Sequence, residues 1–170
     1  MTPIQLSALC AAIASINSPH VEFWGEHAQI DIAPYNKLLT KVLSFLRGEL
    51  KSQANLARFH DEFYAWRELQ VEEDSLAYRI LEVSNAALYS AVESLFDSEC
   101  NDLELLEGAL ESGWDEMVEL GAEVTDLRSY WSEIRAEVLT QVTERRQLPL
   151  PKEYFTLIKE ADVSLFGLNN

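Results

Sequence analysis

Three histidines (His20, His27, His60), two cysteines (Cys10, Cys100) and 29 carboxylates are the side chains in this sequence that could carry metal, nucleophilic or acid–base chemistry. A di-metal site in a helical bundle is built from carboxylates and Glu-x-x-His pairs on facing helices. No Glu-x-x-His occurs, and the histidines and cysteines lack zinc-ligand spacing. His60, beside Asp61 and Glu62, reads as a surface residue rather than a general base. Glycine-rich phosphate loops are absent, and no nucleophile–histidine arrangement has a local signature. Carboxylate pairs for glycoside chemistry are available anywhere in so acidic a chain, but nothing singles out two of them. Cys10 lies in a small, apolar stretch where a buried thiol would be inert, and two cysteines are too few for a disulfide scaffold. The expectation is a protein without catalytic residues, metal or cofactor.

What the carboxylates offer instead is a field. The 170 residues carry 29 acidic against 13 basic side chains, a formal net charge of -16. That excess makes nucleic acid and anionic membrane poor partners and a basic protein a good one. Between Arg79 and Arg128 there is no Lys, Arg or His, while thirteen acids run from Glu82 to Asp126. On a helix over 103–120, Glu104, Glu107, Glu111, Asp115 and Glu119 fall along one face, opposite Leu103, Leu106, Leu110 and Met117. Like charges four apart cost an isolated helix about 0.2–0.5 kcal/mol per pair, which solubility alone does not require. Such a stripe can stand in for nucleic-acid phosphates in the groove of a basic protein. The partner-binding residues expected on this ground are Asp97, Glu99, Asp102, Glu104, Glu107, Glu111, Asp115, Glu116 and Glu119. Glu68, Glu72, Glu73 and Asp74 form a second acidic patch, placed by an up-and-down bundle at the other end from the turn at 97–102.

The elements that position these groups read as helices throughout. Thr2-Pro3 opens a first helix with Ile4, Leu6, Leu9, Ile13 and Ile16, ended by Asn17-Ser18-Pro19. The stretch from Val21 to Ile32 reads as a connecting loop with a brief extended piece. Pro34 starts a second helix that Gly48 closes, and Ser52 caps a third with Leu56, Phe59, Phe63 and Trp66. These rings lie at core spacing rather than forming a cofactor box. Asp74 caps a long fourth helix with Leu76, Ile80, Val83, Ala87, Ala91 and Leu95 inward. The acidic helix follows, weakened by Gly108 and open to a break at Ser112-Gly113. Thr125 or Asp126 caps the next, with Leu127, Trp131, Ile134, Val138 and Val142 inward and Arg145-Arg146 in its last turn. Pro149 and Pro151 precede a short final helix with Tyr154, Leu157, Ile158 and Ala161. The sum is an all-α antiparallel bundle of about five to seven helices, a single domain over 1–170. The N-terminal helix 3–17 and the extension 147–170 are placed at its periphery. Without a basic secretory leader or a membrane-length apolar run, a cytoplasmic protein is expected.

Leu38-Leu39 to Leu46-Arg47-Gly48-Glu49-Leu50, then Phe59, Phe63 and Trp66, then Ala91-Val92-Glu93 with Leu95-Phe96-Asp97 and Asp102, Leu103 and Leu106 form a recognisable series. Over Lys37 to Leu110 it resembles the bacterial immunity proteins of the colicin D immunity class. The chain departs from that pattern in its extra N-terminal helix and its extension beyond Glu123. The resemblance implies a helical bundle that protects its producer by covering the active site of a cognate basic toxin, often an RNA-cleaving one. Two other readings stay open: a nucleic-acid mimic aimed at a DNA-binding protein, and a non-catalytic assembly or chaperone subunit.

Overall fold

A computed structural model describes residues 1–169. Among them are eight helices: α1 (Pro3–Ile16), α2 (Ser18–Ala28), α3 (Ala33–Leu46), α4 (Gln53–Glu68), α5 (Leu76–Phe96), α6 (Leu103–Glu119), α7 (Thr125–Gln141) and α8 (Lys152–Glu160). The molecule is an all-α bundle with one helix more than the five to seven expected. The additional element is α2, where the sequence reads as a loop. Pro19, taken as a terminator, sits in the first turn of α2, where a missing N–H costs nothing. Val21 and Trp24, three apart, are buried by α2 together with Pro19.

Helix α1 is the centre of the bundle rather than its edge. Every residue from Gln5 to Ala14 is buried, because Ala8, Ala11, Ala12 and Ala14 let neighbours approach from all sides. A helix apolar all round belongs in a core, and the lack of a polar face here was the available signal. Its polar side chains and some of its carbonyls also bond to other elements. Ser7 Oγ donates to the Ala91 carbonyl of α5 at 2.7 Å, and Gln5 Nε2 to Val142 O at 2.9 Å. The buried phenols of Tyr35 and Tyr154 donate to Ala14 O and Ala8 O at 2.6 and 2.5 Å. Burial without such partners would cost about 1–3 kcal/mol per group.

Cap positions shift by small amounts from the expected ones. Ser75, not Asp74, caps α5 through Oγ and the Tyr78 N–H. Thr125 is the first residue of α7, with its N–H and hydroxyl both donated to Glu123. Helix α7 ends at Gln141, so Arg145 and Arg146 lie beyond it, and Arg146 donates to Pro149 O. Gly48 follows α3 at φ 77°, the left-handed position that a glycine closes well. Helix α6 runs unbroken through Ser112-Gly113. None of the described helices is long and apolar enough to cross a membrane.

The C-terminal segment is also not peripheral. Ser164, Leu165 and Phe166 are buried, Leu165 N–H donates to Asn17 Oδ1, and Trp114 Nε1 of α6 donates to Leu165 O at 2.8 Å. Phe166 occupies the space over Gly113, where a Cβ would lie 2.5 Å from the Phe166 ring. The glycine that reads as a weak point of α6 is the seat of this ring.

Ser164 Oγ accepts the N–H groups of Phe166 and Leu168, so its own proton goes to His20 Nε2 at 2.7 Å. Burial holds His20 neutral, its pKa pushed down to about 4. The unfolded chain takes up that proton near pH 6.5, so from there down to about pH 4 it binds more protons than the native state. Stability from this group is therefore full above pH 6.5 and lost as pH falls through that window. The expected loss by pH 4.5 is about 2 kcal/mol, read as a falling urea midpoint, and His20→Gln should flatten this part of the profile.

Candidate partner-binding face

Helix α6 places the acidic residues because its other side is fixed: Leu103, Leu106, Leu110, Gly113 and Trp114 are buried. With that stripe inward, the carboxylates divide between two edges and two ends. Along the edge facing α7, Glu107, Glu111 and Asp115 meet two arginines seven residues apart on that helix. Arg135 Nε lies 3.1 Å from Glu107 Oε2, which also accepts Trp131 Nε1 at 3.0 Å. Arg128 bridges Glu111 at 3.0 Å and Asp115 at 2.7 Å. Along the edge facing α5, Glu116 is bound by Arg79, which also holds Asp74 at 2.9 Å. The Arg79 guanidinium keeps the Glu116 carboxyl below the usual carboxylate range, and the Glu123 carboxyl is lowered by its bonds from Thr125.

Thus four of the nine expected contact residues, Glu107, Glu111, Asp115 and Glu116, have cationic partners within the chain. The even, unmatched ribbon read from the sequence is matched along its middle. Seven residues apart, Arg128 and Arg135 share one face of α7, but that this face meets α6 is set by the packing of the two helices.

The other five form no ion pair among the described residues. Asp97, Glu99, Asp102 and Glu104 gather where α5 turns into α6; Asp97 accepts the Glu99 N–H, and Asp102 accepts Ser90 Oγ at 3.1 Å and Cys100 Sγ at 3.6 Å. Glu119 stands at the far end of α6, joined by Glu123 and Asp126, all three exposed. Glu104 and Glu119 are about 22 Å apart along the helix at 1.5 Å per residue. The face is therefore two clusters of unpaired carboxylates with a clamped stretch between. The second expected patch lies near the Glu119 end, because Arg79 joins Asp74 to Glu116. Within it Glu73 contacts His27, and Glu68 and Glu72 are exposed.

Sequence reasoning missed the relief between α5 and α6. There the two helices leave an apolar groove of about 590 Å³, with Ile80, Val83, Ala86, Leu106, Ala109 and Phe166 along it. Leu105 stands at its lip, 74% exposed. The small side chains of Ala86 and Ala109 line it from the two helices.

The other reactive side chains are committed elsewhere. His60 is buried rather than on the surface, since α4 turns it inward with Leu56 and Phe63; its Nε2 meets Glu93 at 2.9 Å and its ring lies against Tyr89. Cys10 and Cys100 are free thiols, and burial, helped by nearby negative charge, pushes Cys10 up to about 12. Among the described residues, no three His, Cys, Asp or Glu side chains are grouped so as to hold a metal ion. Comparison of the chain with protein-family models, with curated proteins and with solved structures finds no match.

Proposed function

We propose that this protein is a non-catalytic inhibitor of the immunity type, which binds a cognate basic toxin domain, of nuclease character, and covers its active site. The observation that supports this reading is the set of seven carboxylates, Asp97, Glu99, Asp102, Glu104, Glu119, Glu123 and Asp126, which form no ion pair among the described residues. Arg79, Arg128 and Arg135 are instead engaged by five other carboxylates, Asp74, Glu107, Glu111, Asp115 and Glu116. A nuclease groove presents cations spaced for successive phosphates, and two anionic clusters held by one rigid helix meet it without reorganisation.

Co-expression with the toxin domain encoded beside it is the test. Protection of the host cell and a stable complex that weakens at high salt are expected; survival no better than with toxin alone, and no complex, would remove the proposal. The apolar groove supports a second reading, an assembly or chaperone subunit that binds through apolar surface. Partner binding unchanged between 50 mM and 1 M salt, where the screening length falls to about 3 Å, would favour that second reading.

A further inference from the structure

We infer that the groove between α5 and α6 receives an amphipathic helix of the basic partner, about three turns long, with apolar side chains seated in the trough and lysines or arginines over its Asp102–Glu104 end. The inference rests on the proposed reading of a basic partner and adds where that partner is anchored.

The groove follows α5 from Ile80 to Ser90, about 15 Å at 1.5 Å per residue, the length of a helical segment of ten residues or so. Its floor is apolar and stepped by small residues, the relief into which side chains at i, i+3 or i+4 and i+7 insert. Leu105 is among the most exposed large apolar residues of the molecule, and it lies at this lip. An exposed leucine beside an unfilled apolar trough is surface awaiting cover.

The polar groups around the trough choose the occupant. Arg67 is held by Glu82 and Arg79 by Asp74 and Glu116, and the Ser90 hydroxyl is given to Asp102. Unmatched carboxylate remains at one end, where Asp102 has Glu104 nearby; at the other, Glu82 and Glu116 are already held by Arg67 and Arg79. An apolar trough with one anionic end is the complement of a helix with an apolar stripe and cations toward one terminus.

Two labelled 14-residue peptides test the inference by fluorescence anisotropy. One carries leucines at i, i+3, i+4 and i+7 among lysines; the other has alanine in place of every leucine and the same charge. The leucine peptide should bind one to one and at least about tenfold more tightly than the alanine peptide. Ala109→Trp, which fills the trough, should lower its affinity by about tenfold or more, and Leu105→Ser by about threefold to fivefold, with the alanine peptide unaffected. Leu105 is exposed, so its variant reads out the groove even if Ala109→Trp disturbs folding. Equal binding of both peptides, or a leucine peptide indifferent to Leu105→Ser, would overturn the groove. Loss of toxin capture on Glu104→Lys with Glu119→Lys, but not on Leu105→Ser or Ala109→Trp, would also overturn it while leaving the inhibitor reading in place. Capture indifferent to the charge variants alone would remove the inhibitor reading and leave the groove.

Discussion

Lysine at Glu104 and Glu119 together is expected to slow association with the basic partner by about 10- to 100-fold at low salt, with little change in dissociation. The two positions lie one in each carboxylate cluster, both exposed and both without a partner in the chain. Reversing them moves the molecule from a net charge of -16 toward neutrality by four units and leaves every internal ion pair in place. Thermal stability should hold or rise slightly, because the substitution relieves repulsion among like charges. Glu111→Lys and Asp115→Lys make the informative contrast. They change charge by the same amount but strip Arg128 of its partners and set two lysines beside it, so they loosen the α6–α7 seam as well. Association rates of the two double variants at 50 and 500 mM salt separate the ends of α6 from its middle. A rate for the first variant equal to that of the native protein at 50 mM salt would show that the clusters are not the docking surface.

The distinction between ends and middle is also where sequence reasoning reached its limit. Periodicity identified α6 and its buried stripe, because Leu103, Leu106, Leu110 and Trp114 recur at helical spacing within one segment. It could not tell that Glu107, Glu111 and Asp115 are answered by Arg135 and Arg128, because that match depends on how α7 rotates against α6. The acid excess was legible as composition; its division into clusters is a tertiary fact. The same holds for α1, whose small side chains look like a modest peripheral helix until α5, Tyr35 and Tyr154 are placed around it. His60 shows the converse error. Its acidic sequence neighbours suggested solvent, but helical geometry turns adjacent residues about 100° apart, and Leu56 and Phe63 were its true companions. The groove could not have been read from the sequence at all, since an unfilled volume between two helices has no residue of its own. Expecting the chain's termini at the edge failed for a physical reason too: the bundle needs Leu165 and Phe166 to finish the core beside α6.

That last dependence yields a large expected effect on stability. Trp114 is 2% exposed, packs against Phe166 at 6.1 Å between ring centroids, and donates Nε1–H to the Leu165 carbonyl. Trp114→Ala removes the largest fully buried side chain and opens a cavity that the rigid α6 backbone cannot close. It also leaves a buried carbonyl without its donor. The expected cost is about 3–5 kcal/mol, a large share of the 5–15 kcal/mol that holds a domain of this kind together. The corresponding fall in melting temperature is about 6–20 °C. Trp114→Phe keeps most of the volume and loses only the donor, so about 1–3 kcal/mol should suffice there. Phe166→Ala alone should cost a similar few kcal/mol, and the pair should be less than additive, because each ring is the other's wall. Urea titrations of the four proteins measure the coupling directly. Full additivity would mean that the C-terminal segment folds down independently of α6, and the floor of the groove would then be a movable part rather than a fixed one.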